Sequence, residues 1–205
     1  MAVDLADLVS SWRTAVVTSE IQNGVVGDAA ALPELAAAAR PMLPTVARLV
    51  RSARSAGVEV VHGTFERRAD GKGANANARL FHGVDRSPVR LLPDSAASQV
   101  VAEVGVMPTD LVIPRTHGLN PMAGTELDPV LRNLGVSTIV VAGVSVNVAV
   151  TNLVMDAVNL GYNVVLPRDA VCGIPAAYAD AIIDNTLSLL ATVTTVDELA
   201  AIWKG

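Results

Sequence analysis

The feature that most constrains the fold is a series of short, β-branched apolar runs separated by longer stretches of a different pattern. Five such runs span residues 14–19, 58–62, 111–114, 138–144 and 163–166. Their apolar residues are nearly continuous, which is typical of strands that are covered on both faces. Strands that alternate with helices predict an α/β fold, with a doubly wound, mainly parallel sheet as the middle layer of a three-layer α/β/α arrangement.

The intervening stretches carry the spacing and the boundary signals of helices. Apolar residues between Val46 and Ala53 recur at i, i+3, i+4 and i+7, and Gly57 follows as a stop signal. The same reasoning predicts further helices at about residues 29–39, 127–134, 146–160, 176–190 and 196–203.

One segment, residues 63–95, shows no clear periodicity. A connection of that length in a compact domain is usually functional, disordered or partner-facing. We therefore expect a lid or a contact between subunits, with a plain solvated loop as the alternative. The chain as a whole, 1–205, is interpreted as one domain, because 205 residues suffice for a single well-buried core.

The composition argues against several classes of partner. The chain is 51% hydrophobic, yet no apolar run approaches the roughly 18 residues that a membrane span requires. A net charge of -5 and the lack of a Lys/Arg-rich run argue against nucleic acid. Residues 1–5 lack the segments of a signal peptide, and the single cysteine cannot form an internal disulfide. We therefore expect a cytoplasmic protein that buries its excess apolar surface in an oligomer.

Polar side chains follow the predicted strands at the points where the strands end. Glu20 and Gln22 follow the first strand, His62 ends the second, and Arg115 and His117 follow the third. Open parallel sheets bind ligands at the carboxyl ends of their strands, so we expect these side chains to converge on one crevice and to bind substrate. The alternatives are a buried structural ion pair for the acid and the arginine, and histidines that only bond to the backbone.

The fourth predicted strand runs through a turn straight into a helix. Backbone N–H groups of about residues 146–149 have no partner inside that helix and lie at the positive end of its dipole. Ser145, Asn147 and Val148 are therefore predicted to help bind an anion or an oxyanion. The alternative is an ordinary helix start that Ser145 or Asn147 caps.

Four segments of the chain share their order and much of their sequence with one known family. They are TAVVTSEIQNG at 14–24, LVIPRT at 111–116, IVVAGVSVNVAVT at 139–151, and GYNVV with RDA within 161–170. Together they resemble the isochorismatase-like hydrolases, also called cysteine hydrolases. The resemblance covers about residue 14 to the end, and it implies a small-molecule substrate and a homodimer or homotetramer.

The family typically has an acid, usually Asp, after its first strand, a Lys at the end of its third, and a Cys at the start of the helix after a Gly-Val turn. The resemblance maps these positions onto Glu20, Arg115 and Ala149. Ala149 cannot attack a carbonyl, so no acyl-enzyme can form there. Arg115 keeps the positive charge but cannot release a proton near neutral pH. Cys172 lies elsewhere and is interpreted as a small buried hydrophobe.

The resemblance also implies a function that needs no thiol. Isochorismatases look like family members that work with a small residue in place of Cys and use the carboxylate as a general acid. By analogy, Glu20 would protonate an enol ether of a small carboxylated molecule, or it would activate water for direct attack on a C–N bond. Arg115 would bind the carboxylate or pair with Glu20. The alternative is a binding or regulatory protein that has lost the reaction. No cofactor is expected, and no Asp-x-His pair or other ligand cluster supports a metal site.

Overall fold

A parallel sheet forms the centre of the molecule, which is represented by a computed structural model that describes residues 4–204. Among these residues the sheet has seven strands, and their spatial order is β3-β2-β1-β4-β5-β7, with β6 paired to β4. All of the strand pairings are parallel. In chain order the strands are β1 (Thr14–Ser19), β2 (Glu59–Phe65), β3 (Leu111–Arg115), β4 (Thr138–Val144), β5 (Asn163–Pro167), β6 (Val171–Cys172) and β7 (Thr192–Thr194).

The strand order confirms the predicted doubly wound topology. The chain moves outward from β1 through β2 to β3, then returns to place β4 on the other side of β1. The register aligns Ser19 at the end of β1 with both Gly63 and Gly143, and it pairs Phe65 with Arg115. The carboxyl ends of β1, β2 and β4 therefore form one edge, where a doubly wound sheet binds its ligands.

Helices cover both faces of the sheet and give two separate apolar cores. One face, which includes Val16 and Val60, packs against α3, α4 and α9. The other, which includes Val17 and Val61, packs against α6, α7 and α8. The helices are α1 (Leu5–Leu8), α2 (Asn23–Val26), α3 (Pro33–Ala39), α4 (Leu43–Ser55), α5 (Arg79–Arg86), α6 (Leu127–Asn133), α7 (Thr151–Asn159), α8 (Ala176–Asn185) and α9 (Val196–Ile202).

Several predicted boundaries differ from those in the structure. The helix predicted over 146–160 is a π-helical turn at Val146–Val150 followed by α7, and the helix predicted over 176–190 ends at Asn185. The helix predicted over 29–39 begins only at Pro33, because proline fits the first turn of a helix and not its interior. The segment 63–95 is more regular than its sequence indicates, since β2 continues to Phe65 and α5 forms within it.

Some predictions concern the ends of the chain. Residues 1–3 and 205 lie outside the described residues, so the predicted single domain of 1–205 and the interpretation of residues 1–5 fall partly beyond the structure. Within the part that is described, no helix has the length and apolar character needed to cross a bilayer.

Candidate active site

Glu20 and Arg115 meet at the carboxyl edge of the sheet, although β2 lies between the strands that carry them. Arg115 is the last residue of β3, and its Nη2 donates a hydrogen bond to the Glu20 carboxylate. Its Nη1 donates to the carbonyl of Gly118 at 2.9 Å. The backbone of Glu20 has a φ of 55°, in the left-handed region that residues with a side chain rarely adopt. Such conformations cluster at functional sites.

Burial gives this ion pair unusual electrostatics. The Glu20 side chain is 18% exposed and that of Arg115 is 6% exposed. Burial raises the pKa of Glu20 above its ordinary value, although the neighbouring Arg115 opposes that shift. The guanidinium lies over the Phe65 ring, 4.7 Å from its centre, and its buried Nε has no hydrogen-bond partner among the described residues. The guanidinium therefore retains a donor that the protein does not use.

The turn after β4 brings Ala149 to the same edge. Gly143 has a φ of 114°, and a Cβ there would overlap the backbone oxygen of Ser19, so only glycine lets β4 end this close to β1. The carbonyl of Ser145 accepts hydrogen bonds from the N–H groups of Val148, at 3.1 Å, and Val150, at 3.0 Å. The N–H of Val148, which we expected to be free for an anion, is therefore already engaged.

A single cavity joins these groups. It has a volume of about 280 Å³, and Glu20, Arg115, Ser145, Val148 and Ala149 all line it. The structure thus brings together the three predicted catalytic positions and two of the predicted binding positions. Most of the remaining wall is apolar. It comes from the region of α2 and α3, from the end of β2, from α5 and the residues after it, and from the loop after β3, through Val25, Leu32, Leu35, Phe65, Leu80, Phe81, Val84, Val89, Leu91 and Leu119.

Gln22 does not line this cavity. Its side chain is fully buried, and its amide nitrogen donates to the carbonyls of Phe65, at 2.9 Å, and Ser98, at 2.6 Å. Its amide oxygen accepts from the N–H of Phe65 at 2.8 Å. These bonds fix the end of β2, so Gln22 positions the wall of the site instead of reaching a ligand as the sequence predicted.

His62 does not line the cavity, although we expected it to share a crevice with Glu20 and Arg115. It is completely buried, with Nδ1 2.9 Å from the Thr18 hydroxyl and Nε2 3.4 Å from the carboxylate of Asp110. Burial lowers the pKa of His62, partly offset by Asp110. Because Asp110 also binds Arg54 of α4, these side chains form a buried polar network outside the cavity.

His117 and Asn147 also have contacts that differ from the predicted ones. The ring of His117 packs beside Gly124, and its carbonyl accepts from Arg115 at 3.4 Å. The side chain of Asn147 bonds to both the carbonyl, at 2.6 Å, and the N–H, at 3.0 Å, of Ile174. Neither residue lines the cavity, because both side chains face neighbouring loops.

Two further kinds of group could contribute to catalysis, namely a cluster of metal ligands and the thiol of Cys172. No group of three or more His, Cys, Asp or Glu side chains within residues 4–204 is arranged to hold a metal ion. Cys172 is partly buried and does not line the cavity. Burial raises the pKa of its thiol, which is the reverse of the shift that activates a nucleophilic cysteine.

The sequence and the fold both resemble those of known proteins. A family model described as the Isochorismatase domain matches residues 14–198. The chain belongs to the isochorismatase family. This confirms the family that the ordered segments indicated, and it places Glu20, Arg115 and Ala149 inside the matched region.

Individual relatives within the isochorismatase family are distant. The family protein YecD of Escherichia coli is 32% identical over 114 residues, which are 55% of this chain and 59% of YecD, so the match spans little more than half of that protein. Ureidoacrylate amidohydrolase RutB of Rhizobium rhizogenes is 26% identical over 207 residues, covering 92% of this chain and 82% of RutB. A cysteine hydrolase crystal structure from Pseudomonas syringae pv. phaseolicola matches with a TM-score of 0.85 at 24% identity, covering 96% of this chain and 95% of that one, and shares the fold.

Several cavity residues of this isochorismatase-family chain were not predicted from its sequence. Phe65 lies beneath the Arg115 guanidinium, and Arg79 is the third charged residue that lines the cavity. The spacing of Leu80, Phe81 and Val84, with a proline soon after, is a weak signal for the short helix α5. From the sequence alone, this short apolar run could not be distinguished from a loop, because the cavity wall to which it belongs is visible only in the structure.

Proposed function

We propose that this protein is a hydrolase that acts on a small carboxylated molecule without forming a covalent intermediate. The observation that carries the proposal is the Glu20–Arg115 ion pair, which lines the same cavity as Ala149. An acid and a cation stand at two strand ends, while the position that corresponds to the family nucleophile holds a methyl group. Chemistry at this site therefore proceeds by proton transfer and attack of water.

The substrate itself can control the protonation of the acid. Arg115 donates to Glu20 and so favours its carboxylate form. A substrate carboxylate competes for the guanidinium, whose planar fork can donate two parallel hydrogen bonds to it. Once Arg115 is engaged elsewhere, its opposing effect weakens, and burial, which is already the larger influence on Glu20, raises its pKa further. Binding therefore promotes the protonated form of Glu20 that a general acid requires.

The reaction then adds one water molecule across a single bond. For an enol ether, protonated Glu20 gives its proton to the alkene carbon, and water attacks the resulting oxocarbenium carbon and returns one proton to Glu20. The second water proton passes to the ether oxygen as that C–O bond breaks, which leaves a carbonyl compound and an alcohol. For a C–N bond, Glu20 gives its proton to the nitrogen, water attacks the carbonyl carbon and returns one proton to Glu20, and the C–N bond breaks to release the amine and a carboxylic acid. The likeness to a ureidoacrylate amidohydrolase supports C–N bonds as a class to test beside enol ethers.

A second candidate function is small-molecule binding without turnover. The observation that favours it is the same ion pair, because ionised Glu20 held by Arg115 is a poor proton donor. A ligand that leaves this pair intact would occupy the cavity and remain unchanged. The two functions differ in whether any product forms.

The test is a screen of enol ethers, N-carbamoyl amino acids and amides with the wild-type protein and Glu20→Gln. We expect wild-type turnover of one class, reduced about 100-fold or more in the variant, with no change in intact protein mass during turnover. Cys172→Ser serves as the matched control and should retain activity. Tight ligand binding without product would favour the binding protein, and a mass increase at Cys172 that tracks turnover would refute the non-covalent mechanism.

A further inference from the structure

We infer that the ligand of this cavity is a monocarboxylic acid with a compact hydrophobic body. The inference rests on the proposed function for one point, the placement of the ligand carboxylate at Arg115. Its remaining support comes from the charge, the wall chemistry and the volume of the cavity.

The charges that line the cavity match one negative charge on the ligand. Within the described residues they are Glu20, Arg79 and Arg115. Arg79 is exposed at the mouth, where water solvates its charge, whereas Arg115 is buried. With Glu20 protonated, one ligand carboxylate therefore balances the one buried cation. A second carboxylate in the buried part of the cavity would have no partner, because Arg79 lies at the exposed mouth, and an unpaired charge is costly in a desolvated site.

The wall opposite this charged end offers few hydrogen bonds. Leu35 and Phe81 are buried, and Leu32 and Leu80 stand at the mouth with 55% and 43% of their surface exposed. A polar ligand body would lose hydrogen bonds to water and gain none from these side chains. A hydrocarbon body gains instead, by about fourfold in affinity for each methylene buried. The wall therefore selects against highly polar substrates.

The volume limits the size of that body. A volume of about 280 Å³ lies just below the roughly 300–1,000 Å³ of typical small-molecule sites, so the ligand is smaller than a drug-sized molecule. Hexanoate and phenylacetate are of this size, and a longer chain would pass Leu32 and Leu80 into solvent.

The first experiment measures binding by calorimetry for acetate, butanoate, hexanoate and decanoate, with 1-hexanol and succinate as matched controls. Affinity should rise about fourfold per methylene up to hexanoate and level off by decanoate. The alcohol lacks the carboxylate of hexanoate, and succinate carries a second carboxylate on a chain as short as that of butanoate, so each should bind about tenfold more weakly than its monocarboxylate counterpart. An affinity that does not depend on chain length, or binding of succinate tighter than that of butanoate, would overturn the inference.

The second experiment locates the hydrophobic body. Leu32→Ser and Leu80→Ser change exposed side chains and should fold, yet each should weaken hexanoate binding about three- to tenfold and leave acetate binding unchanged. Leu189→Ser is the matched control, because Leu189 is 81% exposed and does not line the cavity. Equal effects of all three substitutions on hexanoate binding would show that the hydrophobic body of the ligand does not contact Leu32 and Leu80.

These binding measurements are independent of turnover. If affinity rises with chain length and no carboxylated compound is hydrolysed, the proposed hydrolase function is wrong and the proposed ligand class is supported. If short polar compounds are hydrolysed and affinity does not depend on chain length, the proposed ligand class is wrong and the hydrolase function is supported.

Discussion

The guanidinium of Arg115 donates to the Glu20 carboxylate across the end of β2, so a side chain from β3 contacts one that follows β1. Two opposing influences meet at this contact. Burial raises the pKa of Glu20, and Arg115 lowers it. Under the proposed function a ligand carboxylate would replace Glu20 as the partner of Arg115, so the balance would depend on whether the site is occupied.

The first prediction concerns the pH dependence of turnover. A general acid acts only when protonated, so activity should be highest below the pKa of Glu20 and fall as pH rises through it. Since kcat/KM reports the free enzyme and kcat the complex, the fall in kcat should lie at higher pH than the fall in kcat/KM. Rate profiles of the wild type and Glu20→Asp measure both. A profile that rises with pH over this range would assign Glu20 the role of a base in the first step.

The second prediction separates the charge of Arg115 from its shape. Arg115→Met removes the group that lowers the pKa of Glu20, so the fall in kcat/KM should move to higher pH. The KM for a carboxylated substrate should rise about tenfold or more, because the forked hydrogen bonds are lost.

The conservative variant Arg115→Lys is the control for this experiment. It retains the charge without the fork and should show a smaller pH displacement with a similar rise in KM. Near-wild-type KM values in both variants would place the substrate carboxylate elsewhere.

The third prediction uses the methyl group at position 149. Ala149→Cys, made together with Cys172→Ser, places a thiol in the cavity that the Arg115 guanidinium also lines, and this positive charge favours the thiolate. Iodoacetamide should modify it about tenfold faster than it modifies Cys172 in the wild type, whose thiol pKa is raised by burial.

Intact mass over time measures that modification, and added hexanoate should slow it. Ala149→Ser with Cys172→Ser is the matched control without a thiol and should acquire no mass. If the cysteine at position 149 stays unmodified in the folded protein, a reagent in the cavity does not reach this position.

The layer structure of the molecule was predictable because burial on both faces leaves continuous apolar runs such as those of β1 and β4. The strands β6 and β7 were missed because two or three residues carry no periodic signal. The helix α5 was missed for a related reason, since only tertiary contact with the cavity wall distinguishes it from a loop.

The site was predictable to the level of strand ends but not of side-chain direction. Glu20 and Arg115 were found because the carboxyl ends of parallel strands share one edge. His62 was placed in the same crevice, yet it shares a face with Val60, so it points toward α4. Successive residues of a strand face opposite layers, and the sequence did not show that the His62 side chain would be buried against Thr18 and Asp110.

The last prediction concerns the buried polar network outside the cavity, which Asp110 forms with Arg54 and His62. The Asp110 side chain is 1% exposed, and it accepts hydrogen bonds from Nε of Arg54 at 3.1 Å and from the N–H of Met107 at 2.7 Å. Burial raises the pKa of Asp110, but these bonds outweigh it, and the pKa lies below its ordinary value. Asp110→Asn should lower the free energy of unfolding by about 3 kcal/mol, because it leaves Arg54 and His62 without the charge that they face.

Urea denaturation at neutral pH measures that loss. Since the pKa of Asp110 is lowered on folding, its contribution is present above the unfolded value near 3.8 and is lost as pH falls through the folded value. The stability difference between wild type and variant should therefore shrink as the pH falls below about 4. Asp28→Asn is the matched control, because Asp28 pairs with Arg40 at the surface with both side chains mostly exposed, and it should unfold like the wild type. A difference that persists unchanged at low pH would mean that packing, and not the Asp110 charge, stabilises this region.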